Sequence, residues 1–569
     1  MRVQRRPVDR SNALPGLNPV LARVYAARGV RSPRDIDLSL GEMLPVSSLQ
    51  GIDAAIELLM AHRSPQRRVM VIGDFDADGA TSTALAVRAL RSMEFSHVDY
   101  LVPNRSEFGY GLTPEIVAVA AARRPTLIIT VDNGISSLQG VRRARELGID
   151  VLVTDHHLPG PELPNANVIV NPNCQQGEFG SRSLAGVGVI FYVCAALQRA
   201  LAASSAAARA TRVADWLDLV ALGTVADLVP LDRNNRVLVA QGLSRIRAGR
   251  CVPGLRALMQ LAGRELGSAN SADLGFTVGP RLNAAGRIDD MSIGIQCLLT
   301  DDESTARMLA ARLDQLNGER RAIEAQMQQT ALAAVRHLRD GPLADARRGV
   351  TLYEADWHQG IVGLVASRIK DRLRRPVVAF ARAGDALLRG SARSVAGVHV
   401  RDVLARIDAL HPQLIVRFGG HAMAAGLTLH EEQIETFAEA FDTAVREAQG
   451  DAIRADVVET DGELSVEELS LQTAAALRDG GPWGPLFPEP SFDGQFRLSQ
   501  ARVVGERHLK LWLEHCESGR RFDAIAFGYL APGEVLQRLP GDARVVYRLD
   551  VNSFRGETRL QLLVDHLIC

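Results

Sequence analysis

Val151-Leu-Val-Thr-Asp-His-His157 is the last of three apolar runs that each stop on acidic residues. Val71–Thr83 reads VIGDFDADGATST and places Asp74, Asp76 and Asp78 behind one such run; Leu127–Ser136 reads LIITVDNGIS and places Asp132 behind another. A helical pattern follows each, so β and α units alternate from about residue 66 to 230, the signature of a parallel sheet. In open parallel sheets the ligand site lies beyond the carboxyl ends of the strands, and residues 74–78, 132 and 155–157 are therefore expected to converge.

Convergence of that kind needs counter-charge. Two carboxylates about 4 Å apart at an effective dielectric of roughly 20 repel by on the order of 4 kcal/mol. Several together take up protons or bind divalent cations. Carboxylate oxygens suit Mg²⁺ and Mn²⁺, and an imidazole among them tilts the choice toward Mn²⁺. The six cysteines show no CxxC spacing, which removes the zinc-ribbon and dithiol redox readings. Scattered single thiols imply a reducing compartment. The opening MRVQRRPVDRSNALPG carries no apolar signal region, and no uninterrupted apolar run approaches 18 residues. A soluble, cytoplasmic protein without a membrane role is expected.

A chain of 569 residues exceeds one hydrophobic core, and three or so domains are expected. The formal net charge of -1 offers no overall attraction for nucleic acid, so such a partner needs a local basic lining. Residues 364–393 supply one, with Arg368, Lys370, Arg372, Arg374, Arg375, Arg382, Arg389 and Arg393 against Asp371 and Asp385. A solvated helix face is the competing reading for Arg372 to Arg375.

The longest helical pattern starts at Asp301-Asp302 and runs to about Leu338, with Leu309, Leu313, Leu316, Ile323 and Met327 at helical spacing and Gly318 its weak point. At about 35 residues it spans about 50 Å. It reads as a strut between two αβ regions, in preference to a dimeric coiled coil. A second αβ region follows from about 347 to 450. After Gly450 short β runs separated by turns suggest a small barrel. Phe496, Trp512, Phe522, Phe527, Tyr547 and Phe554 are its candidate base-stacking rings, with the core as the alternative place for each.

The ordered motifs DFDADG, PNRSEFGYGL, TVDNGIS, TDHH, LAGVGV, LGTVADLVPL, GPRLNAAGRI, GSARS and FGGHAMAAG resemble the DHH phosphoesterase superfamily, and within it the RecJ-type bacterial single-strand exonucleases. The likeness runs from about residue 45 to the end. It implies an α/β fold: a parallel-sheet DHH domain and an α/β DHHA1 domain joined by a long helix, plus a C-terminal all-β OB-fold barrel. The expected boundaries are an amino-terminal segment 1–44, a DHH catalytic domain 45–300, the connecting helix 301–345, a DHHA1 domain 346–450 and a nucleic-acid-binding barrel 451–569.

The resemblance further implies a 5′-to-3′ exonuclease that releases mononucleotides from single-stranded DNA with two divalent cations, Mn²⁺ or Mg²⁺, in repair and recombination. Metal ligation maps onto Asp76, Asp78, Asp132, His156 and Asp227, with Asp74 as a further ligand or supporting base. Asp155 is expected to orient an imidazole and His157 to donate to the reacting phosphate.

For phosphate handling, Arg105 pairs a guanidinium fork with the ring of Tyr110 near glycines. Ser391 and Arg393 are expected, on the resemblance, to make a pocket for a terminal 5′ phosphate. Gly419 and Gly420 admit a backbone, with His421 as donor. Arg281, Asn283 and Arg287 line the strand path or make salt bridges. The sequence departs from the family at Phe75, where Tyr is frequent, and at Ala392, where Gly is frequent; neither removes a ligand. His358 in EADWHQGIVGLVASRI matches a second-domain motif. Expected partners are single-stranded DNA, a helicase and a single-strand-binding protein, with the enzyme monomeric. The alternatives are a phosphodiesterase of the same superfamily acting on short oligonucleotides or cyclic dinucleotides, and a non-catalytic single-strand-binding relative.

Overall fold

The computed structural model describes residues 2–8, 14, 16–104, 110–174, 179–340, 347–384, 386–449, 457–505, 507–530, 541–554 and 557–568, without the side chains of 334–340 and 553–554. A short polar strand, β1 (Arg2–Arg5), opens the chain. Five strands follow: β2 (Val69–Ile72), β3 (Val98–Leu101), β4 (Leu127–Val131), β5 (Asp150–Thr154) and β6 (Val168–Val170). They form a wholly parallel sheet in the order β3-β2-β4-β5-β6. Every residue of β2 and β4 is buried, which is why these strands read as continuous apolar runs: helices cover both faces.

From β2 the chain steps outward to β3, then crosses back to lay β4 on the other side of β2. That reversal opens a crevice at the carboxyl ends of β2 and β4. Helices Gly186–Leu201, Leu217–Ala226 and Gly279–Ile288 complete the first unit, the last preceded by a π-helical turn at Leu274–Val278. Helix Glu303–Asp340 has 38 residues. Leu313 and Leu316 on its first half pack into the core of the first unit, and Met327 and Ala331 on its second half into the next core. Its apolar stripe is thus spent within the chain, as a strut requires.

The second unit is a five-stranded mixed sheet of β7 (Val350–Tyr353), β8 (Val377–Arg382), β9 (Leu387–Arg393), β10 (Arg417–Gly420) and β11 (Ala424–His430), in the order β10-β11-β9-β8-β7. Then β12 (Val457–Thr460) pairs in parallel with β1, tying the amino-terminal strand to the start of the last unit. The last five strands close a barrel: β13 (Phe492–Val504), β14 (His508–His515), β15 (Arg521–Ala526), β16 (Asp542–Phe554) and β17 (Glu557–Ile568), in the order β13-β14-β15-β17-β16. Barrel core and first-unit core form one apolar cluster. Among the described residues no single helix is long and apolar enough to cross a membrane.

Candidate metal centre and phosphate-binding surface

The loop after β2 turns directly into helix Ala77–Ser92, with Asp76 as its cap accepting the Gly79 amide at 3.0 Å. Asp78, in the first turn, is buried and faces the amino end of helix Gly186–Leu201. Its two oxygens accept the amides of Gly186 at 2.6 Å and Val187 at 2.9 Å. Those free amides and the helix dipole hold the carboxylate in one orientation. Asp132 follows β4 in a left-handed conformation, φ 63°, a strained placement for a non-glycine residue. Gly186 makes it possible: a Cβ there would lie 2.5 Å from the Asp132 Cβ. Asp227 caps helix Leu217–Ala226 at its carboxyl end, and Gly223 on that helix clears Asp78, since a Cβ would stand 2.8 Å from its Oδ1.

These groups converge with the two histidines. Three sets, Asp74 with Asp76 and Asp132, Asp78 with His156 and Asp227, and Asp132 with His156 and His157, each have ligand atoms within 4.8 Å of one another. His156 Nε2 lies 3.1 Å from Asp132 Oδ1 and 3.5 Å from Asp227 Oδ2. Yet both His156 Nε2 and Asp132 Oδ1 are buried with no hydrogen bond of proper geometry. A buried donor or acceptor left unmade is costly. A ring nitrogen and a carboxylate oxygen aimed into one acidic cage are the donor set that Mn²⁺ or Mg²⁺ takes, so the residues fit the cations.

The electrostatics agree. Burial, and then the charge of Asp76, pushes Asp78 up to about 7. Burial and the neighbouring carboxylates hold Asp132 and Asp227 well above the usual carboxylate range. Burial and the adjacent His157 push His156 down to about 4, leaving a neutral imidazole suited to ligation. Burial opposes a charge on His157 as well, but the hydrogen bond to Asp155 and the surrounding acids raise it to about 9. Asp155 is fully buried and accepts His157 Nδ1 at 2.8 Å, the His156 amide at 2.7 Å and, on its other oxygen, the Ile135 amide at 2.9 Å. Its carboxylate thus orients the ring of His157 and the backbone of His156. Tyr110 borders the site, its hydroxyl 3.2 Å from His157 Nδ1 and its ring edge-on to Phe75. Arg105 lies outside the described residues.

Other expected site residues divide. Asn283 Oδ1 accepts the Ala77 amide at 2.7 Å and so braces the acidic loop from behind. Arg281 pairs with Asp314 of the long helix at 2.8 Å, the salt-bridge alternative. Arg287 donates to the Gly360 carbonyl at 3.1 Å across the junction of the two units. On β9, Arg393 Nη1 donates to Ser391 Oγ at 2.8 Å, and both crowd Gly363 in the first turn of helix Val362–Leu373. Gly419 and Gly426 lie in register with Ser391 across three strands, a strip of bare backbone leading to that pair. Burial, and after it the charge of His157, lowers His421 on the β10–β11 hairpin. His358 takes the Gly360 amide at 3.1 Å on its Nδ1.

The basic lining is partly consumed: Arg368 pairs with Glu324, Lys370 with Asp371 and Arg382 with Glu431. In the barrel, Phe496, Phe522 and Tyr547 are core, Trp512 is half-buried under Arg502, and Phe527 is exposed; the side chain of Phe554 lies outside the described residues. The sequence reading assigned no role to Gly186 or Gly223, whose signal was only their place in LAGVGV and LGTVADLVPL.

Residues 68–224 match the DHH family, N-terminal domain; residues 347–447 the DHHA1 domain; and residues 460–566 the RecJ OB domain. The single-stranded-DNA-specific exonuclease RecJ of Escherichia coli (strain K12) is 50% identical over 575 residues, covering 100% of this chain and 99% of that protein. That of Dickeya dadantii (strain 3937) is 52% identical over 577 residues with the same coverage. The crystal structure of RecJ in complex with Mn²⁺ from Thermus thermophilus superposes with a TM-score of 0.79 at 29% identity, covering 97% of this chain and 76% of that one.

Proposed function

The chain belongs to the RecJ family of single-stranded-DNA-specific exonucleases, and from that premise we infer that it hydrolyses single-stranded DNA from the 5′ end to mononucleotides with two divalent cations, Mn²⁺ or Mg²⁺. One observation carries the reading: a buried imidazole nitrogen and a buried carboxylate oxygen, neither hydrogen-bonded, sit amid further acids at the reversal point of a parallel sheet.

Asp74, Asp76, Asp78, Asp132, His156 and Asp227 would hold the cations, which when bound activate water and stabilise charge on the departing 3′ oxygen. The chain's own groups do the rest. The amides of Gly186 and Val187 keep Asp78 from rotating away. His157, charged and held by Asp155, presents a cation to the phosphate. Ser391 and Arg393 hold the terminal phosphate, Gly419 and Gly420 admit the strand's backbone, and His421 and Tyr110 add donors around it, with Arg105 as a further donor on the family resemblance alone; Asn283 keeps the acidic loop in place, Arg287 the junction and Arg281 the long helix. Capture of a terminal phosphate confines cutting to an end.

The proposal extends to a helicase and a single-strand-binding protein, because an enzyme that reads only single strands needs another to open duplex. It further includes a monomeric, cytoplasmic enzyme. The test is Mn²⁺-dependent digestion of one strand labelled at either the 5′ or the 3′ end. A 5′ label should appear in mononucleotide at once and a 3′ label only late. The Asp132→Ala variant should lose at least about a hundredfold in rate, the upper range for groups that merely support a metal. Full activity in that variant would overturn the cation assignment, and early release of the 3′ label the polarity.

A further inference from the structure

Leu274–Val278 is a single π-helical turn before helix Gly279–Ile288. Such turns widen a helix by one residue, swing a side chain off the packed face, and recur at functional sites. Here Leu274, Thr277 and Val278 are buried while Phe276 is 80% exposed. The turn is braced, since Arg281 donates to the Thr277 carbonyl at 2.6 Å and pairs with Asp314.

Its position is specific. Gly275 packs on Val225 and Gly279 on Ala226, at the end of the helix that carries Asp227. The next residue, Leu228, is 63% exposed and left-handed, φ 59°, an unfavourable conformation for a bulky side chain. Scattered exposed apolar side chains are ordinary on soluble proteins. Leu228 directly follows the candidate ligand Asp227, and Phe276 stands on the π turn whose Gly275 packs on Val225 of the same helix, so the two are not scattered.

We propose that Phe276, with Leu228, forms an apolar platform at the rim of the metal centre on which a nucleobase of the bound strand stacks. The occupant follows from continuity: a strand whose phosphate reaches Asp227 brings its flanking bases to this rim, and every base has a π-face to offer an aromatic ring, whatever the sequence. A platform of this kind positions the sugar-phosphate without reading bases. It rests on the exonuclease reading above and adds to it a grip on the base.

The full-length enzyme tests it with two strands, one unmodified and one in which the first three nucleotides are abasic tetrahydrofuran units. Losing one stacked base is expected to raise KM about tenfold. Phe276→Ala should therefore raise KM by about that factor on the unmodified strand, with a smaller change in kcat, and Phe276→Trp should restore it. Leu228→Ser should weaken binding in the same direction. On the abasic strand Phe276→Ala and wild type should converge. Equal penalties for Phe276→Ala on both strands, or no change in KM, overturn the platform; a site for an apolar protein partner would show the latter. Thermal melting of Phe276→Ala within a few degrees of wild type excludes a folding defect, as expected for an exposed side chain. If wild type digests neither strand, the exonuclease reading fails, and fluorescence anisotropy of strand binding still decides the platform, through the same tenfold loss.

Discussion

One methyl group decides the geometry at Gly186. Added there, a Cβ would lie 2.5 Å from the Asp132 Cβ and 2.7 Å from its Oδ1, and Asp132 is already strained, so the carboxylate moves. Gly186→Ala is expected to cost about 1–3 kcal/mol by overpacking and to reduce Mn²⁺ affinity and kcat by about 10- to 100-fold. Isothermal titration and single-turnover rates measure both. Gly188→Ala is the control, because the three atoms nearest its added Cβ all belong to the Leu184 side chain, 3.1 Å and more away; an equal loss there would sink the argument. Away from the site, Asp218 is fully buried, accepts the Val252 amide at 2.8 Å and leaves its other oxygen unpartnered. Burial pushes it up to about 6, the Val252 amide opposing. A carboxyl raised in the folded state contributes stability that is complete below the unfolded value near 4 and lost as pH climbs through the folded one. Stability should therefore fall between about pH 4 and pH 7 by on the order of 3 kcal/mol from this group. Asp218→Asn should flatten that slope in denaturant titrations at several pH values, and an unchanged slope would refute it.

At the scale of elements, legibility in the sequence followed how local the cause was. The apolar runs ending on Asp74, Asp132 and Asp155 announced parallel strands and a site at their ends, because burial on both faces and ligand chemistry are written into adjacent residues. The helix after Asp301-Asp302 was legible for the same reason. The barrel's existence could be read from alternation, but which aromatics fill it could not: Phe496 and Phe527 look alike in sequence and differ only in which way the backbone faces them. Asn283 serving the Ala77 amide, the π turn at Phe276, and β1 pairing with β12 were invisible, each depending on partners far along the chain. The same long-range tie holds the amino-terminal segment to the barrel unit. Just beyond helix Pro19–Ala26, Arg28 is 2% exposed in its side chain and grips Asp461, 0% exposed, through two contacts of 2.8 and 3.0 Å. Asp461 also has Arg6 at 3.4 Å and the Ser491 amide at 3.0 Å, so losing Arg28 costs less than the about 3–5 kcal/mol of a wholly stranded buried charge. Arg28→Ala should lower the denaturation midpoint accordingly, whereas Arg28→Ala with Asp461→Asn should recover a large part. Independent, additive losses in the two single variants would show that the pair is not coupled.

Across the whole molecule charge is segregated, although the sum is only -1. Acids crowd the crevice of the first sheet, while Arg393, Arg389 and His421 lie on the second sheet and its hairpin. On the function proposed above, a strand entering between them would meet cations for its phosphates on one side and the acids proposed to hold the metals on the other. Neutral total charge gives no long-range attraction, so affinity rests on the few phosphates held at close range. For single strands the logarithm of affinity falls with the logarithm of salt by about 0.7 per phosphate neutralised, and a handful of contacts predicts a slope of about -2 to -4 on that rule. The Arg393→Ala variant separates the terminal pocket from the rest. If Arg393 grips the end phosphate, the variant should lose about tenfold in affinity for a 5′-phosphorylated strand, as charge-assisted contacts do. It should match wild type on a 5′-hydroxyl strand and reduce the salt slope by about one contact's worth. Arg368→Ala, which removes a cation already paired with Glu324, should leave the slope unaltered. A salt-independent wild type would mean that the second sheet does not hold the strand's backbone. An Arg393→Ala loss identical on both strand ends would place that guanidinium along the path instead of at its terminus.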